Sequence, residues 1–450
     1  MTITVEFRLP RLPWRRILAL PLTLVLALVL GQAALAFHDF SDVDSAAFYH
    51  DDVHWLKERA ITLGCGGTLY CPNDPVTRGQ MAAFVHRAST VSDRAGQTIT
   101  AVDTTFSAGQ YTSIIIGADG RPIIAYFEGS TGDLKVARCT TPTCATATIT
   151  RLDSTGTVGQ YASIAIGTDD LALISYYDIT NADLKVAHCN ELSCSGATTV
   201  TLDSPGNVGQ YSSITIGSDG LGLISYYDQT NGTLRVAHCA DVGCTSAARS
   251  TVDATFSGAL TSITVGADGR GLISYHGIGT ADLKVAHCSD LSCTAATLTT
   301  LDASGVTGQH TSITLGSDGL GLIAYYDASN ADLRVAHCSN LLCTSATLAT
   351  LDGPGDVGQY TSIAVGIDGF AVISYFDETN GDLKVAHCST IDCSAATLSS
   401  VDRADNVGWY SSVTVGADGL PVISYYDSTT NNLSLAHCAN RFCVPNARYR

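Results

Sequence analysis

The chain has 450 residues, 45% of them hydrophobic and only 15% charged, with a formal net charge of −18. That mixture belongs to a globular chain and excludes a disordered one. The acidic balance argues against nucleic acid, whose phosphates demand clustered Lys and Arg, and equally against a peripheral grip on anionic lipid.

Residues 1–36 stand apart. Arg8, Arg11, Arg15 and Arg16 precede an apolar run from Ile17 to Leu30, and Ala34-Leu35-Ala36 places small residues for cleavage before Phe37. This is the pattern of a secretory signal peptide. The alternative is an uncleaved anchor, but about 14 apolar residues fall short of the roughly 20 that span a bilayer. Losing four arginines and Glu6 with this segment takes the charge from −18 to −21. The expected localisation is secreted, with no membrane contact after cleavage.

Residues 37–90 form a separate unit. Ala47, Phe48, Val53, Leu56 and Ile61 have the spacing of one helix, and Thr77 caps a second that runs through Met81, Phe84 and Val85. Phe40-Ser41-Asp42-Val43, Ile61-Thr62-Leu63-Gly64, Tyr70-Cys71-Pro72 and Val76-Thr77-Arg78-Gly79-Gln80-Met81-Ala82 follow one another in the order of the S-layer homology module, which this small α-helical segment resembles. The resemblance implies attachment to the bacterial cell envelope through secondary cell-wall polysaccharide. It assigns wall binding to Thr77, Arg78 and Gln80, with the planar guanidinium of Arg78 set to meet an anionic sugar substituent. Gln80 stands where the family has an acidic residue, and one module is present where the family usually has about three. Residues 91–97 then read as a short polar linker.

From residue 98 to 450 one unit is written seven times. Its copies align on Asp103, Asp153, Asp203, Asp253, Asp302, Asp352 and Asp402, a period of fifty residues broken once by forty-nine. In the first copy, strands are expected at Thr112–Gly117, Pro122–Glu128, Leu134–Cys139 and Thr146–Leu152, with an Asp119-Gly120 hairpin turn between the first two. Ile123 with Ile124, and Leu134 with Val136, make both faces of these strands apolar, which suits sheets packed on both sides. The predicted fold is mainly β, a seven-bladed β-propeller with four-stranded blades. The seventh copy lacks a fourth strand, and Gln97–Asp103 resembles one without its first three. The N-terminal strand is therefore expected to complete the last blade and remove two sheet edges; a strand made by residues 444–450 is the alternative.

Cysteine supplies a further signal. The pairs Cys139/Cys144, Cys189/Cys194, Cys239/Cys244, Cys288/Cys293, Cys338/Cys343, Cys388/Cys393 and Cys438/Cys443 recur once per repeat, and Cys65/Cys71 precede them. An even count, equal spacing and an export signal read as disulfides. Zinc competes, because a histidine precedes the first cysteine in six repeats, but neighbouring residues of a strand face opposite ways and cannot easily grip one ion. No metal or cofactor is expected.

The candidate site is the rim that carries the entry to strand one and the hairpin between strands two and three. Tyr111, Tyr161, Tyr211, Tyr360, Trp409 and Tyr410 fall there with Asp178, Asp228, Asp327, Asp377 and Asp427. Aromatic faces beside fixed hydrogen-bond acceptors suit a sugar, and one such set per blade predicts repeated weak sites. The competing reading is that the tyrosines pack between blades and the aspartates cap turns. His276 and His310 break the repeat on adjoining blades and are the pair to inspect for metal or acid–base chemistry. The strand pattern also resembles sialidase-like and fucose-lectin-like propellers, a likeness of fold that does not carry function. The expectation is a secreted, envelope-associated, non-enzymatic propeller that binds wall polysaccharide, another surface glycan or a surface protein. A glycoside-processing enzyme and a purely structural surface-layer protein are the alternatives.

Overall fold

The structure, a computed structural model, describes residues 97–255, 257–404 and 406–444. The expected signal peptide, the two helices and wall-binding residues of the 37–90 module, the Cys65/Cys71 pair and residues 445–450 lie outside them.

The second strand of each repeat explains the architecture. Ile-Ile-Ala-Tyr-Phe in Pro122–Glu128, like Leu-Ile-Ser-Tyr-Tyr in Ala172–Asp178, is buried at every position. A strand apolar on both faces needs a covering layer on each, and a ring of sheets provides it with neighbouring sheets. The described residues form twenty-eight strands in seven four-stranded sheets. Blade one runs outward from the axis as Ala108–Ile116, Pro122–Glu128, Asp133–Cys139 and Ala147–Asp153, each antiparallel to the last. The core lies between blades: Ile123 and Val136 of blade one pack with Ile164, Ile174 and Tyr176 of blade two.

Closure follows the expected route. Thr98–Asp103 pairs antiparallel with Asn432–His437 and becomes the outer strand of blade seven, with Thr98 opposite His437 and Asp103 opposite Leu433. Leu433, Leu435 and Val422 of blade seven then bury against Ile114 and Ile124 of blade one.

The seven repeat disulfides are formed, each between the end of strand three and the turn that follows it, and none of the described cysteines is free. They are Cys139–Cys144, Cys189–Cys194, Cys239–Cys244, Cys288–Cys293, Cys338–Cys343, Cys388–Cys393 and Cys438–Cys443, with Cα atoms 4.7–5.0 Å apart and all fourteen residues buried. The two members of a pair differ in backbone, which their spacing does not predict. The first closes strand three, or in blade seven directly follows it. The second lies outside any strand: Cys144, Cys194, Cys244, Cys293, Cys343, Cys393 and Cys443 all take a left-handed backbone with φ 51–52°. That conformation is uncommon for a residue with a side chain. A tight turn holds it, because each of these cysteines donates its N–H to the carbonyl three residues earlier, as Cys194 does to Glu191 at 2.9 Å, Cys293 to Asp290 at 3.2 Å, and Cys343 to Asn340 at 3.0 Å. Cys393 bonds to Thr390 at 3.1 Å and Cys443 to Asn440 at 3.0 Å in the same way.

Two polar devices join one blade to the next. Along the inner strands, Ser113 Oγ accepts from the Ile164 N–H of the following blade at 3.3 Å, and the same bond recurs through Ser163, Ser213, Ser262, Ser312 and Ser362 until Ser412 accepts from Ile114. Further out, the repeat Asp at the end of each outer strand accepts from a buried tyrosine of the next blade. The bonds are Tyr126 to Asp103, Tyr176 to Asp153, Tyr226 to Asp203, Tyr275 to Asp253, Tyr325 to Asp302, Tyr375 to Asp352 and Tyr425 to Asp402. A Lys or Arg two residues into the third strand, such as Lys185 or Arg235, pairs with the same carboxylate. Blade seven has Ser434 in that place.

Candidate functional site

The inner strand starts earlier than its apolar run predicts, at Ala108 and not Thr112, because it contains a bulge. Gln110 lies opposite Phe127 and Ser113 opposite Ala125, so Tyr111 and Thr112 share the single partner position of Tyr126. A bulge of this kind re-aims a side chain. Tyr111 takes a left-handed backbone with φ 51°, and Tyr161, Tyr211, Leu260, His310, Tyr360 and Tyr410 do the same at 49–55°. Such a conformation is costly for bulky side chains, and the surrounding ladder holds it seven times over. Gly109 makes it possible: at φ +104°, a Cβ there would stand 2.7 Å from Leu433 Cα of the preceding blade.

The seven bulges turn their side chains to the axis. Tyr111, Tyr161, Tyr211, Leu260, His310, Tyr360 and Tyr410 line a cavity of about 180 Å³, backed by the hydroxyls of residues such as Thr112, Ser212, Thr311 and Ser411. The ring centroids stand 4.6 Å apart from Tyr111 to Tyr161 and 4.4 Å from Tyr161 to Tyr211. On the other side they stand 4.4 Å apart from Tyr111 to Tyr410, 4.7 Å from Tyr410 to Tyr360 and 4.5 Å from Tyr360 to His310. Adjacent planes are inclined by 41–59°, an arrangement that aromatic quadrupoles favour over a flat sandwich. Tyr161 thus stands between Tyr111 and Tyr211, and Tyr410 between Tyr111 and Tyr360. Burial, reinforced by these neighbours, pushes the phenols of Tyr161 and Tyr410 well up, and burial with the nearby Tyr111 takes Tyr360 to about 12. Burial also pushes His310 down to about 4, helped by the nearby imidazole of His276. At neutral pH these groups are uncharged, and no Asp, Glu, Lys or Arg lines the cavity.

The tyrosines expected on the rim of separate blades therefore meet in one place. Trp409 joins them at the edge, 5.5 Å from the Tyr360 ring and 5.3 Å from Phe376, with its indole N–H donating to Asn406 Oδ1 at 2.8 Å. The aspartates are elsewhere. Asp178, Asp228, Asp327 and Asp377 are buried, and each accepts from the backbone and side chain of the Asn three residues on, as Asp178 does from Asn181 N at 3.0 Å and Nδ2 at 2.9 Å. Asp427 accepts from the backbone of Thr429 and Thr430. These carboxylates close the hairpin between strands two and three and do not line the cavity.

His276 occupies the second-strand position that holds tyrosine or phenylalanine in other blades, opposite Ala259. Its Nδ1–H donates to the Thr307 carbonyl at 2.8 Å, and burial lowers its pKa against that bond. The six histidines that precede cysteines lie at the other end of the strands, each beside the Asp of the strand one–two turn. His188 with Asp169 at 2.9 Å, His238 with Asp219 at 2.8 Å and His337 with Asp318 at 2.9 Å are examples, and Arg138 serves Asp119 at 2.5 Å in blade one. The His-Cys spacing alone does not show this pairing; the recurring Asp-Gly and His-Cys positions together carry the signal of a cross-strand pair. Among the described residues no cluster of three or more His, Cys, Asp or Glu is placed to hold a metal ion.

The described residues thus define a closed seven-bladed propeller with one aromatic cavity on its axis. Ahead of it, residues 39–82 match the family model of the S-layer homology domain. The propeller is similar in fold to hydrazine synthase of Kuenenia stuttgartiensis, at 12% identity over 76% of this chain and 98% of that one, with a TM-score of 0.51. It also resembles the intramolecular trans-sialidase from Ruminococcus gnavus, at 13% identity over 79% and 99% with a TM-score of 0.43. A third likeness is to the α-L-arabinofuranosidase from Fusarium graminearum, at 10% identity over 78% and 97% with a TM-score of 0.44. At 12% identity the first of these likenesses shows the fold alone. Comparison with curated protein sequences gives no match.

Proposed function

We propose that this is a secreted protein held at the cell envelope by its S-layer homology domain, and that its propeller binds a saccharide group in the axial cavity. The observation that carries the reading is the crowding of five tyrosines onto that cavity. The bulge itself does not require an aromatic side chain, because Leu260 adopts the same left-handed backbone in blade four. The tyrosines are also only half-buried, with ring surface turned to the cavity. An aromatic wall with hydroxyls is the chemistry that meets both the apolar face and the polar edge of a pyranose. Binding is favoured over cleavage because glycosidic hydrolysis usually relies on two carboxyl groups flanking the bond, and none lines this cavity. Thr77, Arg78 and Gln80 are assigned to cell-wall polysaccharide.

The test separates the two attachments. Arg78→Ala should reduce co-sedimentation of the full chain with purified cell-wall fragments while leaving binding of soluble glycans on an array unchanged. Tyr161→Ala should do the reverse. Wild-type array binding by Tyr161→Ala would overturn the cavity assignment, and release of reducing sugar from a bound glycan would place the protein among enzymes.

A further inference from the structure

Resting on that reading, we infer that the cavity recognises a single uncharged sugar residue from one side, with His310 as the specificity-determining hydrogen-bonding group and Trp409 as the adjoining platform.

The ring is not sevenfold. From Tyr360 through Tyr410, Tyr111 and Tyr161 to Tyr211 one phenol ring stands against the next. The arc stops at blade four, where Leu260 puts a short aliphatic side chain between Tyr211 and His310. The departures from the repeat gather on this side. Neither ring nitrogen of His310 has a hydrogen-bond partner among the described residues, although its ring packs 4.5 Å from Tyr360 and 6.3 Å from Tyr326. His276, opposite Ala259, is buried outside the cavity lining with its Nδ1–H committed to the Thr307 carbonyl. The neutral imidazole of His310 thus offers one N–H donor and one acceptor nitrogen beside the space that a seventh aromatic ring would have filled. That set matches neighbouring hydroxyls of a sugar, which donate and accept together.

Trp409 adds the apolar part on the same half of the ring. It stands where blades one, two, three, five and six have Gln110, Gln160, Gln210, Gln309 and Gln359. An indole beside Tyr360 and Phe376 supplies a flat surface for a pyranose face. The absence of any charged lining residue selects against a carboxylate-bearing sugar, whose desolvated charge would have no partner. Because all seven bulges open on one axis, there is one site per chain and not one per blade.

Titration calorimetry of the full chain tests this, with the methyl glycosides of glucose, galactose, mannose and N-acetylglucosamine as neutral probes and N-acetylneuraminic acid as the anionic one. The expected result is one site per chain for at least one neutral glycoside and no detectable binding of N-acetylneuraminic acid. His310→Leu and Leu260→Tyr should each weaken binding at least about tenfold, the second by filling the gap, whereas His310→Asn, which keeps a donor and an acceptor, should retain most of the affinity. Gln110→Ala should bind as the wild type does, and unchanged melting of every variant would exclude misfolding. Loss of binding in Tyr161→Ala with wild-type affinity in both His310→Leu and Leu260→Tyr would overturn this inference and leave the cavity reading standing. Binding that survives Tyr161→Ala would overturn the cavity reading itself. Seven sites per chain, tighter binding of N-acetylneuraminic acid, or no binding of any probe would each overturn the inference as well.

Discussion

The hydroxyl of Tyr126 donates to Asp103 Oδ2 across 2.5 Å, and the two residues belong to different blades: Tyr126 to the second strand of blade one, Asp103 to the strand that completes blade seven. Tyr126 is fully buried and Asp103 nearly so, so removing the hydroxyl leaves a carboxylate oxygen short of a donor. Tyr126→Phe is expected to cost about 1–3 kcal/mol in urea denaturation. Tyr425→Phe should cost more than Tyr176→Phe, because Asp153 keeps Lys185 whereas the place of that cation at Asp402 is taken by Ser434.

Closure by an N-terminal strand predicts unequal effects of two deletions. Removing residues 91–103 takes away the outer strand of blade seven and exposes the Asn432–His437 edge, so the melting temperature should fall or oligomers should form by edge pairing. Removing residues 37–90 should leave propeller melting nearly unchanged. Equal losses from both deletions, followed by calorimetry and light scattering, would contradict the role given to Thr98–Asp103.

Acid sensitivity follows from the same carboxylates. Burial by itself raises the Asp253 carboxyl, but hydrogen bonds from Lys284, Thr255 and Tyr275 outweigh it and hold it at about 2. Asp103, Asp153 and Asp302 are likewise held below the usual carboxylate value against their burial, by their Thr or Ser, Tyr and Lys or Arg partners. A carboxyl with a lower pKa folded than unfolded binds fewer protons in the folded state. Its contribution is therefore complete above about pH 4 and is lost as the pH falls toward about 2. Urea midpoints should be level between about pH 7 and pH 5 and decline below about pH 4, with a shallower decline in Lys284→Met.

The disulfides predict a graded response. Each closes a loop of a few residues, worth roughly 2 kcal/mol in the chain-entropy model. Replacing Cys239 and Cys244 together by serine should lower stability by about that amount without opening the ring. Peptide mapping of the unreduced protein should find eight bridges, including Cys65–Cys71, and none between repeats. Linkage between blades, or a majority of free thiols, would refute the pairing.

Most of the scaffold was legible because the period is written in residue types that punctuate strands. Asp119-Gly120 placed the first hairpin, Cys139 and Cys144 the third, and the orphan Thr-rich segment before Asp103 the closing strand. The left-handed turn at the second cysteine, the same at Cys194 and Cys393 as at Cys144, was not legible, because a spacing of five fixes which residues pair and not the backbone between them. The site was only half legible. Tyr111 reads as a loop residue because a bulge adds one position to the strand, and alternation alone then assigns the wrong start and face. Its glycine neighbour and the following Thr112-Ser113 were the available signs, but they do not say which way a left-handed residue points. Asp178 looked like a sugar acceptor because an aspartate beside tyrosine on a rim satisfies that description. Only its bonds to Asn181 show the carboxylate spent on its own turn. The pair of Tyr126 with Asp103 joins residues of different repeats, and a pattern read within one repeat cannot display it.

Strand Thr98–Asp103 has a mechanical consequence if, as proposed, the protein is tethered through its N-terminal domain. It is the first strand of the propeller in the chain, and its only ladder is with Asn432–His437, supplemented by the side-chain bonds of Thr100 to Thr143 and of Asp103 to Tyr126. Drag on the propeller, by flow or by a bound polymer, would reach that ladder before any other strand. Gln97, bonded to the Val401 carbonyl, and Thr98, opposite His437, would be the first residues to feel the pull, and the chain would yield there by losing one strand while six complete blades continued to share their interfaces.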